Sequence, residues 1–465
     1  MGGFQLRIRE KGREVLRRWL ASDGMRRLRA SLPARAICRV GSACGSNPLP
    51  AQLLLLFCYR GLLDLLYVSV ISPVYEYTGM LADPQPLEYA CSWLVLLAAA
   101  PAILKLQQGP KASSFLVTFL HYLYFIPLTS YCGCKGGTIL FFGCAVLYWG
   151  ILLLLQFKVP SLVLAPASAH HTDAVFRVLT LFSVLFILFI SGKYTGFRIT
   201  LNLDYTNIYA IRAEAAGYQI PTVFQYVLSV MPILLPVVLL YWMNRKKRLM
   251  ALFLCFIFLL LFSIGAHKSI FFFFFVILAS YFLYRPWMLR WMPGLFSLLA
   301  GVGILEYRVR GSYQIAALLD RVFYIPVQIS EQSAALFQDH PLNLFRFGII
   351  GKFGFSNIYS TTIPRLMGEY RGNLQESANN GLLGDLFSNL PTLLGLVLLP
   401  LILVLCFRIM DLLTNRVPPK ILLAFCVYFA NCFVNGSWST VLLSGGFLLA
   451  CVLLYFFPEE EKRLL

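Results

Sequence analysis

The chain has 465 residues, 59% of them hydrophobic and only 13% charged, and carries a formal net charge of +18. Repeated apolar runs of roughly twenty residues match the thickness of a bilayer and exclude an ordinary soluble multidomain protein. These runs lack the period-two alternation of a barrel, and the positive charge is dispersed between them instead of forming one face for nucleic acid. The expected fold is therefore an all-α polytopic membrane protein.

The first fifty residues hold eleven Lys and Arg against three acids, among them Arg7, Arg9, Lys11, Arg13, Arg17 and Arg18. This segment is too long and too charged for the n-region of a cleaved signal peptide, and no small-residue cleavage site follows the first apolar run. It is expected to be a cytoplasmic basic amphipathic helix lying on an anionic leaflet, with a partner-docking helix as the other reading.

About twelve spans follow, near 51–72, 89–106, 114–131, 138–157, 175–191, 223–243, 249–265, 269–284, 291–306, 390–410, 420–437 and 440–457. The second, seventh, eighth and ninth runs are short and are expected to tilt, thin the lipid or end inside protein. The chain thus divides into the basic segment 1–50, a bundle 51–304 with an outward loop 191–221, a large outward loop 305–389, a second bundle stretch 390–457 and a tail 458–465. Lys105, Lys111, Lys158, Arg177, Asn244 to Arg248, Arg285 to Arg290 and Arg408 to Lys420 fall on the same side as the N-terminus, which the positive-inside rule makes cytoplasmic. The loop 305–389, by contrast, holds seven basic and seven acidic residues, so its arginines are not retention signals.

Cys58, Cys91, Cys144, Cys255, Cys406, Cys426 and Cys451 sit within apolar runs and read as small hydrophobes, and no Cys/His spacing matches a zinc site. Arg60 and Asp64, one turn apart in the first span, read as a structural pair because each alone is costly in hydrocarbon. In the loop 191–221, Tyr205, Tyr209 and Arg212 share a helical face; Arg212 either meets a lipid-borne phosphate or fixes the loop through Glu214 or a headgroup. Ala266-His267-Lys268-Ser269 lies between apolar runs, where His267 and Lys268 either snorkel from a hairpin tip or act on substrate.

The long loop begins with Glu306 to Arg310. Ile315 to Phe323 and Val327 to Phe337 read as two amphipathic helices separated by Pro326. After Asp339-His340-Pro341 comes the apolar, glycine-interrupted stretch 345–355, too short to span and expected to be re-entrant or interfacial. A charged stretch with Arg365, Glu369 and Arg371 precedes Glu376 to Asp385. There Asn379 or Asn380 is expected to cap a helix leading into the tenth span, and Asp385 and Asn389 share a face of it. Asp385 either complements the helix dipole or serves chemistry.

Neither a Walker-type loop nor a dinucleotide glycine pattern is present. An enzyme working on the nucleotide-free outer side needs a substrate that carries its own leaving group, and a sugar on a polyprenyl pyrophosphate meets that need. Arginines would then stabilise the departing diphosphate while a base takes the proton of an acceptor hydroxyl.

The two enlarged loops, the Tyr-Ala-Ile-Arg element ending at Arg212, the Asp-His-Pro turn at His340 and the Ser-Ala-Asn-Asn-Gly-Leu-Leu-Gly-Asp element ending at Asp385 resemble the bacterial O-antigen and exopolysaccharide polymerases called Wzy. The resemblance implies an inverting, metal-independent glycosyltransferase of the GT-C type in the bacterial inner membrane. It would polymerise undecaprenyl-pyrophosphate-linked repeat units at the periplasmic face, without a cofactor or nucleic acid, beside membrane lipids, a flippase and a chain-length regulator. On this resemblance Arg212, Arg310, Arg365 and Arg371 bind pyrophosphate, with Lys268 a further candidate, and Glu369, Asp385 and His340 compete as the base. His340 has the alternative of capping a turn, and Glu369 that of pairing with Arg365 or Arg371. One departure is that no arginine of the two loops considered, from Arg198 to Arg371, is followed after ten residues by a glycine, a spacing found in some polymerases. A ligase that passes the glycan to lipid A core or protein would use the same parts. A flippase for lipid-linked sugars instead predicts internal repeats and charged residues spread through the spans near the midplane, whereas this sequence shows no repeat and concentrates its polar residues in the outer loops.

Overall fold

The computed structural model describes residues 49–109, 111–161, 172–199, 217–265, 268–347, 350–373, 376–379 and 381–457. Two compact units are distinguished, Met1–Leu55 and Leu56–Leu465; of the first, only 49–55 are described, and they open the first helix. The basic segment before Leu49, the stretch around Arg212 and the tail 458–465 lie outside the described residues.

Every regular element among the described residues is helical. In apolar surroundings the backbone N–H and C=O groups have no water to bind, and a helix satisfies them within the segment. The elements up to the long loop are α1 (Leu49–Thr78), α2 (Pro86–Leu106), α3 (Ala112–Lys135), α4 (Ile139–Lys158), α5 (Thr172–Thr195), α6 (Thr222–Asn244), α7 (Arg248–Gly265), α8 (Lys268–Leu283) and α9 (Met288–Arg310). Within the loop come α10 (Gln314–Leu319), α11 (Ile325–Asp339), α12 (Ile363–Tyr370) and α13 (Leu383–Asn389). The last are α14 (Thr392–Asp411), α15 (Pro419–Asn435) and α16 (Trp438–Tyr455).

Ten of these helices are long and apolar enough to cross a membrane, and α8 and α15 are shorter apolar helices. Each of the twelve apolar runs thus has its helix, and the chain is a multi-pass membrane protein. The second and ninth runs are not short: α2 has 21 residues and α9 has 23.

Three helical runs widen into a π turn just before a proline. Tyr67–Ile71 precedes Pro73, His121–Phe125 precedes Pro127, and Asp320–Tyr324 precedes Pro326. Proline offers no N–H to the carbonyl four residues back and its ring crowds that carbonyl, so the preceding turn opens.

Helix α3 is the hub, its apolar stretch buried throughout between α2, α14 and α15. The Arg60–Asp64 pair is structural, as its spacing suggests. Arg60 Nε donates to Thr129 Oγ1 at 3.0 Å and Nη2 to Ser92 Oγ at 2.9 Å, while Ser130 Oγ donates to Asp64 at 2.6 Å. A second buried pair, Arg408 and Asp411 at 2.8 Å, is joined by Ser113.

The long loop is less a surface excursion than its composition suggests. From Gln314 to Asp339 the chain stays helical through the π turn, so Pro326 starts α11 instead of separating two helices. This run is held among the spans: the Tyr324 hydroxyl donates to the Leu63 carbonyl at 2.7 Å, Tyr124 to Ser330 at 2.8 Å, and the Gln328 amide to the Thr78 carbonyl at 2.8 Å. Lys135 and Glu331 form an ion pair at 2.6 Å. The stretch 345–355 contains only turns and the 3-10 turn Ile350–Phe353 among its described residues, not a re-entrant helix. Ile329, Leu336, Phe337, Ile363, Met367 and Ala378 form a small apolar core that binds α12 to α11. Gly368 allows this packing, since a Cβ there would lie 2.2 Å from the Glu376 carbonyl oxygen.

Candidate functional site

The end of the loop departs from its expected form. Helix α13 begins at Leu383, preceded by Leu382 with φ 44° and no side-chain cap, and Leu390-Pro391 separates it from α14. Asn379 does not cap it but lines a cavity beside it. Gly381 lies against the C-terminal end of α15, where a Cβ would stand 2.1 Å from the Phe433 carbonyl oxygen and 2.7 Å from that of Gly436. Only a glycine lets these two stretches meet.

This close approach brings Asp385 to the start of α16. Its Oδ2 accepts the Trp438 backbone N–H at 2.8 Å, and its Oδ1 lies 3.4 Å from the Asn389 side-chain amide, one turn on. The side-chain carbonyl of Asn389 in turn accepts from the Asn343 amide and from the Phe345 backbone N–H, each at 2.9 Å. Leu344 and Phe345 both adopt left-handed backbone, φ 54° and 57°, to wrap around it. Such strain costs of order 1 kcal/mol or more per residue and persists only where the surroundings fix it.

These groups border a cavity of ≈ 350 Å³, whose walls also carry Thr362, Pro364, Asn435, Ser437, Ser439 and Thr440, with Phe345 and Phe347 as its aromatic surface. Among the described residues no Lys or Arg lines it. Asp385 is 2% exposed. Burial pushes its carboxyl up to about 7, against the pull of the Trp438 N–H and the Ser437 hydroxyl. A carboxyl poised near neutrality at the wall of a polar cavity can accept a proton from a bound hydroxyl.

The other sequence-derived candidates are dispersed. Arg365 is exposed at the start of α12, next to the cavity-lining Pro364, and Glu369 is exposed one turn further on. Glu369 pairs with neither Arg365 nor Arg371 among the described residues; Arg371 instead lies 3.5 Å from Glu376 and donates to Gln328 at 3.0 Å and to Gln332. His340 is exposed, and its Nδ1 sits 2.9 Å from the Leu336 carbonyl at the end of α11, the geometry of a helix terminator. Arg310 is exposed at the end of α9. Lys268 opens α8 but its side chain, like all of Arg212, lies outside the described residues. Of the three candidate bases, only Asp385 lines the cavity.

Sequence reasoning missed Asn343, Arg346 and Asn435. Arg346 stands between the cavity-lining Phe345 and Phe347, its guanidinium donating to the Ser356 carbonyl at 3.3 Å. Asn431 and Asn435, two amides ending an apolar helix, were the available signal. A second cleft of ≈ 680 Å³ runs along Leu140, Phe141, Leu342, Phe387 and Leu390, with Glu331 at its polar side. No family model, curated protein or solved structure matches the chain.

Proposed function

We propose that this chain is a bacterial inner-membrane glycosyltransferase that lengthens lipid-linked glycans on the outer face, in the manner of an O-antigen polymerase. The observation that carries this reading is the buried Asp385 carboxyl at the wall of a polar cavity, with the exposed Arg365 next in sequence to the lining Pro364. Asp385, as carboxylate, takes the proton of an acceptor hydroxyl. The freed oxygen attacks the anomeric carbon of the donor glycan from the face opposite its diphosphate. The bond between that carbon and the diphosphate oxygen breaks, and the electron pair leaves on the diphosphate. On this reading Arg365 and Arg346, each next in sequence to a lining residue, receive it, and Arg371 needs release from Glu376 to join them. The apolar cleft along Leu140, Phe141 and Phe387 offers the polyprenyl chain a path beside α4 and α14.

Purified protein in nanodiscs, supplied with a polyprenyl-pyrophosphate repeat unit and no nucleotide, is expected to lengthen the glycan. Its rate should rise with pH through about 7 as the Asp385 carboxyl ionises. Asp385→Asn should lower the rate by roughly 10²-fold or more. Absence of elongation combined with passage of lipid-linked sugar across vesicles would support a flippase, and full activity of Asp385→Asn would remove the proposed base.

A further inference from the structure

We propose that the cavity beside Asp385 seats the acceptor sugar as a neutral, hydroxyl-rich ring, and that the diphosphate binds outside it. The inference rests on the glycosyltransferase reading but concerns which part of the substrate this site takes. Three features of the lining decide the matter.

The first is what the wall offers for hydrogen bonding. Asn343 is 2% exposed, and its side-chain oxygen has no hydrogen-bond partner among the described residues, although its amide nitrogen is fixed on Asn389. A buried carbonyl oxygen without a donor is costly, and since Asn343 borders the cavity, a small shift of its closed-off side chain would let a ligand hydroxyl satisfy it. The Asn435 amide nitrogen donates to the Asn431 carbonyl at 2.9 Å and side chain at 3.1 Å, which orients the Asn435 side-chain oxygen as a further acceptor. With the Asp385 carboxyl these are acceptors that call for donors, set among the hydroxyls of Thr362, Ser437, Ser439 and Thr440, which serve in either sense. Phosphate oxygens at neutral pH bring few donors and a like charge; sugar hydroxyls bring several donors and none.

The second feature is the absence of any Lys or Arg from the lining among the described residues. Arg346 and Arg365 are sequence neighbours of lining residues without lining it themselves. The third is shape. At ≈ 350 Å³ the cavity falls at the low end of the roughly 300–1,000 Å³ range of small-molecule sites, and Phe345 and Phe347 give the C–H face of a pyranose something to rest on.

The test is ligand-observed NMR on the full chain in nanodiscs. The probes are the methyl glycosides of glucose, galactose, mannose and N-acetylglucosamine, with inorganic pyrophosphate and Ca²⁺ as competitors. At least one glycoside should bind, undisturbed by either competitor. Asn343→Leu should weaken that binding roughly tenfold, as expected for loss of one buried hydrogen bond. Thr440→Trp, at an exposed position of the rim, should abolish it by filling the cavity without touching the buried amides. Displacement by pyrophosphate, Ca²⁺ binding that Asn343→Leu removes, or unaltered binding by Thr440→Trp would overturn the assignment. A preparation that lengthens glycan but binds no glycoside rejects this site alone. Glycoside binding without elongation keeps the site and rejects the polymerase, and loss of both rejects the two together.

Discussion

Asp385 and Asp320 are both buried carboxyls, and the difference between them lies in their partners. Asp320, in the π turn before α11, is 2% exposed, and its Oδ1 has no hydrogen-bond partner among the described residues. Burial raises its carboxyl from the ordinary 3.8 to about 7, with Arg321 and Arg371 pulling the other way. Because the folded value lies above the unfolded one, the native state binds more protons between them. The stability this gives is complete below about 3.8 and is lost as pH rises through about 7. Asp320→Asn should therefore leave stability at pH 4 unchanged and raise it at pH 8 by roughly 1–3 kcal/mol, since no hydrogen bond at Oδ1 is forfeited. Thermal unfolding of both proteins across pH 4–8 checks this, and a less stable Asp320→Asn at pH 8 would show that the carboxylate has an effective partner. At this scale the sequence was informative only where partners are local. The spacing of Asp385 and Asn389 could be read directly, whereas Asn343, Asn389 and Asn435 converge from stretches whose separation no periodicity encodes. His340 offered two readings, and its bond to Leu336 matches that of a helix end.

Among the elements, the spans were legible because hydrocarbon imposes one solution on any long apolar run. The run 314–339 was only partly so. Its Asp320, Gln328 and Glu331 lower its hydropathy, so it reads as a surface segment, while in the fold Phe323, Tyr324, Val327 and Ser330 are buried against α1 and α3. The Gln328 amide and Glu331 find partners on the spans, the Thr78 carbonyl and Lys135, whereas Asp320 Oδ1 has none among the described residues. The junction of α13 with α15 was also hidden, because a glycine chosen for close approach looks like any other glycine in a sequence. Gly381→Ala tests it. The added methyl would meet carbonyl oxygens of Phe433 and Gly436, backbone atoms that cannot swing aside, so α13 or the end of α15 must move. The expected cost is about 1–3 kcal/mol, read as a lower Tm. Gly143→Ala in α4, where a Cβ meets nothing within 4 Å, serves as the control and should be neutral or slightly stabilising. An unchanged Tm for Gly381→Ala would mean that the two stretches are not held together as tightly as their backbones suggest.

For the whole molecule, charge and contact pattern agree on which helix ends belong together. Ser113 and Ser161 both hydrogen-bond Asp411, and Arg245 pairs with Asp173, so the connections after α2, α4, α6 and α14 gather at one end of the helices. Lys105, Lys111, Lys158, Arg245, Lys246, Lys247, Arg408 and Arg416 crowd that end, whereas the segment from Glu306 to Asp385 balances its charges. By the positive-inside rule we propose that this cationic end is the cytoplasmic one. The proposed chemistry depends on it, because a lipid carrier that has already crossed the membrane presents its diphosphate only on the other side. Asp339→Cys at the exposed end of α11 should accordingly react with a membrane-impermeant maleimide in intact cells, with the unsubstituted chain as background. Lys247→Cys, exposed between α6 and α7, should react only after permeabilisation. The reverse pattern would place the Asp385 cavity in the nucleotide-rich compartment. An activated lipid carrier would then lose its advantage over a nucleotide sugar, and the acceptor site would need a different donor.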